Sequence, residues 1–415
     1  MHKPRRLIHD KPPVAGCIKV RPEDFVVNEL PLYEPCGEGE HLYMCVRKRG
    51  MSHETMTRLI ADGMGVKPRA IGTAGRKDRI AVTTQLVSVH LPGEQDRIPN
   101  IQHEGIEVAW HDRHTNKLRT GHLIGNRFDI RIREIDPMKV TTLQKRLNVL
   151  AEQGLPNVFG TQRFGNEQNN HLLGAALVTN QFDKLVDLIL AGDEKHHGAA
   201  RGGDYKKAFD SWPLGNPVQQ TVLEALVKGK SAQAACRRIS KSMQKLWVNA
   251  LQSWVFNLTL HRRLREGTWN TLQEGDLAWK HLGGGRTFEA TAEDIATEEL
   301  QHRVASMELS PTGPLWGPKM RMPTGKVLEG ELADLKEGGV VDALQQNDRR
   351  LAAGARRPLR VPLNNASIGS GVDEHGGFVR VQFELPAGSY ATAVVEEILA
   401  VPSVQFRDSP STASP

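Results

Sequence analysis

Polar and apolar positions alternate over short stretches in the first part of the chain. In residues 80–90, IAVTTQLVSVH, β-branched residues dominate and turn formers lie on either side, which predicts a strand. In RFDIRIREI, residues 127–135, Phe128, Ile130 and Ile132 share one face and Asp129, Arg131 and Arg133 the other, because strand side chains alternate with a period of two. This predicts a half-buried strand with a basic outer face. Helical spacing follows in TTLQKRLNVLAEQG, residues 141–154, where Leu143, Leu147 and Leu150 form one stripe and Gly154 supplies a stop. Near the C-terminus, Val379, Val381, Phe383 and Leu385 alternate along another strand. A Pro-Ala-Gly turn comes next, and Ser389 is a candidate cap for a helix carrying Val394, Val395, Ile398 and Leu399.

The middle of the chain has a different texture. Helical segments, the Gly-rich patch HLGGGRTF and charged connections fill residues 185–350, which suggests an inserted domain. Within it, the polar and Gly-rich stretch EKHHGAARGGDYKK, residues 194–207, predicts an exposed loop. The segment WVNALQSWVFNLTLHRRLR, residues 247–265, places Trp247, Leu251, Trp254 and Leu258 on one helical stripe. Its basic end reads either as the solvated tail of a core helix or as an RNA contact. The terminal RDSPSTASP, residues 407–415, is expected to be disordered, and no solenoid-type repeat is present.

Length and composition narrow the class. A chain of 415 residues has room for two cores, and 39% hydrophobic with 25% charged residues is globular rather than fibrous or disordered. Lys and Arg outnumber acidic residues 54 to 48, a net charge of +6, which suits a polyanionic partner without demanding one. Cys17, Cys36, Cys45 and Cys236 lack the paired spacing of a zinc site and are too few to staple this chain, so reduced thiols are the default. No apolar run approaches the roughly 20 residues that span a bilayer. The start MHKPRRLIHDKPP has no signal-peptide apolar region, and a cytoplasmic protein is expected.

The densest cluster of chemistry is AGRKDRIAVTTQ, residues 74–85, in which Asp78 stands between Lys77 and Arg79 just ahead of a strand. On charge pattern alone, a charged turn feeding a strand is the simpler account. Nearby glycines do not make a phosphate loop, since GxxxxGK[ST] is absent.

This segment, however, resembles the signature of the TruD pseudouridine synthases, a Lys-Asp-Arg/Lys run followed by Ala-Val-Thr and a nearby Gln. Further segments resemble the same family in the same order: KVRPEDFVVNE (19–29), HTNKLRTGHLIGNRFDIRIRE (114–134), LPNVFGTQRFG (155–165), NALQSWVFN (249–257), TGPLWG (312–317) and FELPAGSYATAVVEEIL (383–399). The resemblance covers nearly the whole chain. Two departures stand out: residues 186–238 are longer than the compact bacterial pattern, and Tyr390 stands where that pattern often has Phe.

The resemblance implies an α+β pseudouridine synthase core with a largely antiparallel sheet and flanking helices, residues 1–184 and 351–415. Residues 185–350 would form an inserted TruD-specific α/β domain. It implies a metal-free, cofactor-free isomerase acting on tRNA, at uridine 13 of the D-arm, with tRNA-Glu a common bacterial target. Asp78 takes the place of the nucleophile and Lys19 that of its charge partner. Phe25, Phe159 and Tyr390 fall on base-contacting positions and Asn157 on one able to bond the uracil edge, while Glu29 and Arg163 occupy matched positions of less defined role. For each aromatic, core packing is the plain alternative. Arg163 with Arg47, Lys48, Arg49, Arg76 and Arg133 would line a phosphate-tracking cleft, against the alternative of a solvated charged face. A non-catalytic RNA-binding protein on the same scaffold would not require Asp78 with Lys19 and Asn157. A methyltransferase would need a Gly-rich cofactor loop that is missing. No membrane or nucleotide cofactor is implied, and the sequence leaves the oligomeric state open, a monomer included.

Overall fold

The computed structural model describes residues 7–8, 10–93, 101, 103–191, 194–213, 215–282, 285–340, 344 and 350–406. The terminal RDSPSTASP lies outside them, as do two glycines of HLGGGRTF. The described residues form two compact units, one within residues 7–155 together with 361–406 and one within residues 156–360.

Eight strands make one sheet in the first unit. Their order is Asn364–Asp373, Gly376–Pro386, Leu123–Ile132, Phe25–Pro31, Val82–His90, His41–Arg49, Ile106–His114, with Ile71–Thr73 also paired to Val82–His90. All neighbours are antiparallel except Phe25–Pro31 with Val82–His90. A parallel neighbour needs a long crossover, and that crossover carries residues 32–81, Asp78 among them. The predicted strands sit here with their alternation intact: Phe128, Ile130 and Ile132 are buried, as are Val379, Val381, Phe383 and Leu385.

Helix His53–Met64 covers the face formed by Leu42, Met44, Val46, Val87 and Val89, burying Met56 and Ile60 against them. Its start is fixed by the Ser52 side chain, which accepts from Thr55 N, and its end by Gly65 at φ 64°. Helix Val140–Gln153 buries Leu143, Leu147 and Leu150 as the spacing predicts and stops at Gly154, φ 87°. Helix Ala391–Leu399 follows the last long strand. Its N-cap is Tyr390 rather than Ser389, with no side-chain cap bond, because the extended backbone persists one residue further than the composition suggests.

The second unit is mostly helical, with a four-stranded sheet ordered Thr287–Glu289, Leu277–Lys280, Leu309–Leu315, Ala355–Pro358. Its bounds differ from the 185–350 read from texture, because residues 156–184 pack with it. Helix Asn170–Val178 approaches helix Lys241–Glu266 so closely that a Cβ on Gly174 would meet the Trp247 carbonyl oxygen at 2.3 Å.

Residues 194–207 are largely helical rather than a loop, although Gly198, Arg201–Asp204, Lys206 and Lys207 are exposed as expected. Glu194–Arg201 and Tyr205–Ser211 are helices, the second capped by Asp204, and the small residues Ala200 and Ala208 are buried with Leu185, Val222, Leu223 and Trp247. At the basic end of Lys241–Glu266 two arginines turn inward while Arg265 stays exposed. Arg263 is buried and doubly bonded to the buried Asp276, and Arg262 forks onto Asp334. Among the described residues no helix is long and apolar enough to cross a membrane.

Candidate active site

Asp78 lies on an irregular loop between strands Ile71–Thr73 and Val82–His90. Its neighbours alternate in direction. The Lys77 side chain is 4% exposed and turned inward, whereas that of Asp78 is 38% exposed.

Inside, Lys77 Nζ meets Glu29 Oε2 at 2.8 Å and donates to Asn126 Oδ1 at 2.6 Å, while Glu29 Oε1 accepts from Leu86 N at 3.2 Å. Glu29 and Asn126 stand on neighbouring strands in direct register. The glycine before Asn126 is a packing requirement, since a Cβ on Gly125 would strike the Leu385 carbonyl oxygen at 2.2 Å. Three resemblance segments thus converge on one buried ion pair that fixes the loop beside Asp78. Glu29 acts as its anchor.

The Asp78 carboxylate meets Lys19 Nζ at 3.0 Å. Lys19 follows the short strand Cys17–Ile18 with φ 57°, a left-handed conformation that costs a non-glycine residue about 1–2 kcal/mol. Its side chain is nearly buried, and its ammonium lies 4.3 Å from the centroid of Phe25 and 5.4 Å from that of Phe406. Phe25 is itself buried and packs edge-on against Phe128. A backbone held at a costly φ to deliver one ammonium to one carboxylate is characteristic of functional sites.

The other matched residues group in the second unit. Asn157 is buried, its Nδ2 donating to Pro358 O at 2.9 Å and its Oδ1 accepting from Arg357. The Arg357 guanidinium lies 4.1 Å from the Phe159 ring centroid, and Phe256 meets that ring edge-on. Asn257 takes both backbone groups of Phe159, Oδ1 accepting from its N–H at 2.9 Å and Nδ2 donating to its carbonyl at 3.0 Å. The Asn-x-Phe and Phe-Asn segments, far apart in the chain, are therefore two halves of one clamp. Arg163 donates to Ser253 Oγ at 3.0 Å. Tyr390, in the first unit, is half-buried at the start of its helix.

The proposed phosphate-tracking set does not hold together. Lys48 is fully buried and donates to backbone carbonyls, and Arg133 is 4% exposed, held by Asp24 and Asp373. Arg133 lies one residue beyond its strand, so the basic outer face loses one of its members. Arg47, Arg49 and Arg76 remain exposed, each beside a carboxylate: Glu107, Glu23 and Glu54. Sequence reading missed Arg357 and the placement of Lys48 altogether. For Lys48 a signal existed: it shares strand parity with Leu42, Met44 and Val46.

A large, mostly antiparallel sheet with flanking helices, carrying a half-exposed carboxylate beside a nearly buried ammonium, places the chain among α+β proteins with a candidate polar site on a loop between two strands of the sheet. The family model described as "tRNA pseudouridine synthase D (TruD)" matches residues 4–398. A tRNA pseudouridine synthase D from Geobacter metallireducens is 37% identical over 95% of this chain and 97% of its own length. One from Thermus thermophilus is 34% identical over 95% and 92%. A crystal structure from Methanosarcina mazei, described as that of a candidate tRNA pseudouridine synthase D, superposes with a TM-score of 0.79 at 26% identity, covering 96% of both chains. The chain belongs to the TruD family of tRNA pseudouridine synthases and is an isomerase.

Proposed function

We propose that this enzyme converts uridine 13 in the D-arm of tRNA, tRNA-Glu among its substrates, to pseudouridine, with Asp78 as the attacking carboxylate. The observation that carries the reading is the half-exposed Asp78 carboxylate 3.0 Å from the nearly buried ammonium of Lys19. The Lys19 ammonium gives that carboxylate a fixed ionic partner.

The isomerisation breaks the N1–C1′ bond, rotates the uracil and joins C5 to C1′. The C5 hydrogen is lost and N1 gains one, so atoms and electrons balance without a redox partner. The carboxylate opens this path by attack on the sugar or the base, or by assisting elimination to a glycal-like species. A stacked base is out of reach, so the nucleotide must leave the stack and be held on aromatic faces. Phe159 and Tyr390 are assigned that holding, Asn157 the hydrogen bond to the uracil edge and Arg163 a contact to the RNA backbone, whereas Phe25, matched to a base-contacting position but 1% exposed beneath the Lys19 ammonium, is assigned the support of Lys19 instead.

Asp78→Asn tests the assignment. It keeps the shape and removes the ionisable oxygen, so tRNA binding should persist while pseudouridine formation stops. Near-normal turnover would move the nucleophile elsewhere. Mapping pseudouridine in tRNA exposed to the wild-type enzyme tests the position, and product at a site other than 13 would replace the substrate assignment.

A further inference from the structure

Strand His41–Arg49 turns Leu42, Met44, Val46 and Lys48 to one face, and the first three belong to the apolar core under helix His53–Met64. Lys48 therefore occupies a position where the period-two pattern calls for a hydrophobic side chain. It is 0% exposed. Burial of an ammonium costs free energy unless its donors are satisfied, and here it pushes the Lys48 pKa down to about 8. A leucine or methionine would serve the core without that cost.

Two acceptors meet Lys48 Nζ. One is Met51 O at 2.9 Å, just beyond the end of its own strand, and the other is the main-chain carbonyl of Asp78 at 2.6 Å. Asp78 is thus gripped at both ends, its carboxylate by Lys19 and its peptide by Lys48. Lys48 pairs in register with Thr83 of strand Val82–His90, so the grip reaches from the rigid sheet into the loop that precedes that strand.

We propose that Lys48 is a positioning residue for catalysis: a fully buried lysine that fixes the peptide of the reacting aspartate, retained at the expense of core stability. The local rule it breaks, at the end of the apolar core where its register partner Thr83 and the neighbouring Gln85 are buried too, is the kind of violation that accompanies function. A small misplacement of a reacting group lowers the rate while leaving substrate binding untouched, so the effect falls on kcat. This inference rests on Asp78 as the attacking group.

The test is Lys48→Met in the full chain, with steady-state kinetics on tRNA, tRNA affinity and thermal unfolding measured together. The expected result is a kcat lowered at least tenfold, KM and tRNA affinity within twofold of wild type, and a Tm equal to or above wild type. Lys48→Gln, which keeps a neutral donor, should give a kcat between those of Met and wild type. A wild-type kcat in either variant overturns the proposal. So does a kcat loss that only accompanies a fall in Tm, which would make Lys48 structural. An Asp78→Asn control run alongside separates the failures: if it keeps turnover, the nucleophile assignment falls, whereas a silent Lys48→Met beside an inactive Asp78→Asn removes only the positioning role.

Discussion

Tyr390 tests the base-holding proposal in a single side chain. If its half-buried ring serves as a stacking face, Tyr390→Phe should be nearly silent, while Tyr390→Ala should lose about 1–3 kcal/mol of the free energy that holds the base. Turnover of both variants on tRNA decides it; an essential hydroxyl, seen as a defect in Tyr390→Phe, would make Tyr390 a hydrogen-bonding or acid–base group. Arg133 makes a contrasting case. Arg133→Met strands Asp24, a carboxylate with 0% exposure, and should cost about 3–5 kcal/mol in urea unfolding rather than affinity for RNA. The two residues show what the sequence lets one see. Asp78, Lys19 and Glu29 are reachable because their segments resemble a family signature. The burial of Arg133 is not, because its partners Asp24 and Asp373 are 109 and 240 residues away and an arginine at a strand end looks the same whether paired or solvated.

At the scale of elements, periodicity is informative where one face is buried and the other is not. Leu123–Ile132, Val140–Gln153 and Gly376–Pro386 fall close to where alternation or helical spacing puts them, since each lies between a core and a polar surface, whereas Val82–His90 is buried on both faces and is found by its β-branched run. Glu194–Arg201 and Tyr205–Ser211 escape that reading because the residues they bury, Ala200 and Ala208, are small, with Tyr205 only partly buried beside them. The long helix Lys241–Glu266 fails it at one end for a different reason: its Arg-Arg pair is folded inward onto carboxylates outside the helix. Arg263 joins Asp276 through two bonds of 3.0 Å each, and also donates to the carbonyls of Thr268 and Thr271. Arg263→Met should therefore destabilise the fold by about 3–5 kcal/mol, because it leaves a fully buried carboxylate unpaired. Chemical unfolding of the purified variant measures this. Weakened tRNA binding at unchanged stability would instead restore the RNA-contact reading of the helix end.

For the molecule as a whole, the unit of residues 156–360 should set the acid limit of stability. His171 is buried, stacked at 4.7 Å on Trp254 with Phe164 edge-on, and burial lowers its pKa to about 4. His281 shares a 2.9 Å hydrogen bond with Ser310 Oγ, and burial with the nearby Arg360 cation likewise takes it to about 4. Both rings are neutral in the native state near pH 7. In the unfolded chain they titrate at the ordinary histidine value of about 6.5. Between those values the unfolded state binds more protons, and stability rises with pH wherever that holds. The contribution is therefore lost as pH falls from about 6.5 to about 4 and changes no further below that. For His171 the lowering from about 6.5 to about 4 corresponds to roughly 3 kcal/mol across the window. Thermal unfolding followed from pH 7.5 to pH 4 should show the wild-type Tm falling through this range. His171→Phe, which keeps a ring against Trp254 but cannot take a proton, should fall less steeply, and His171→Phe with His281→Gln less steeply still. Parallel curves for all three proteins would mean that neither imidazole is held neutral by the fold.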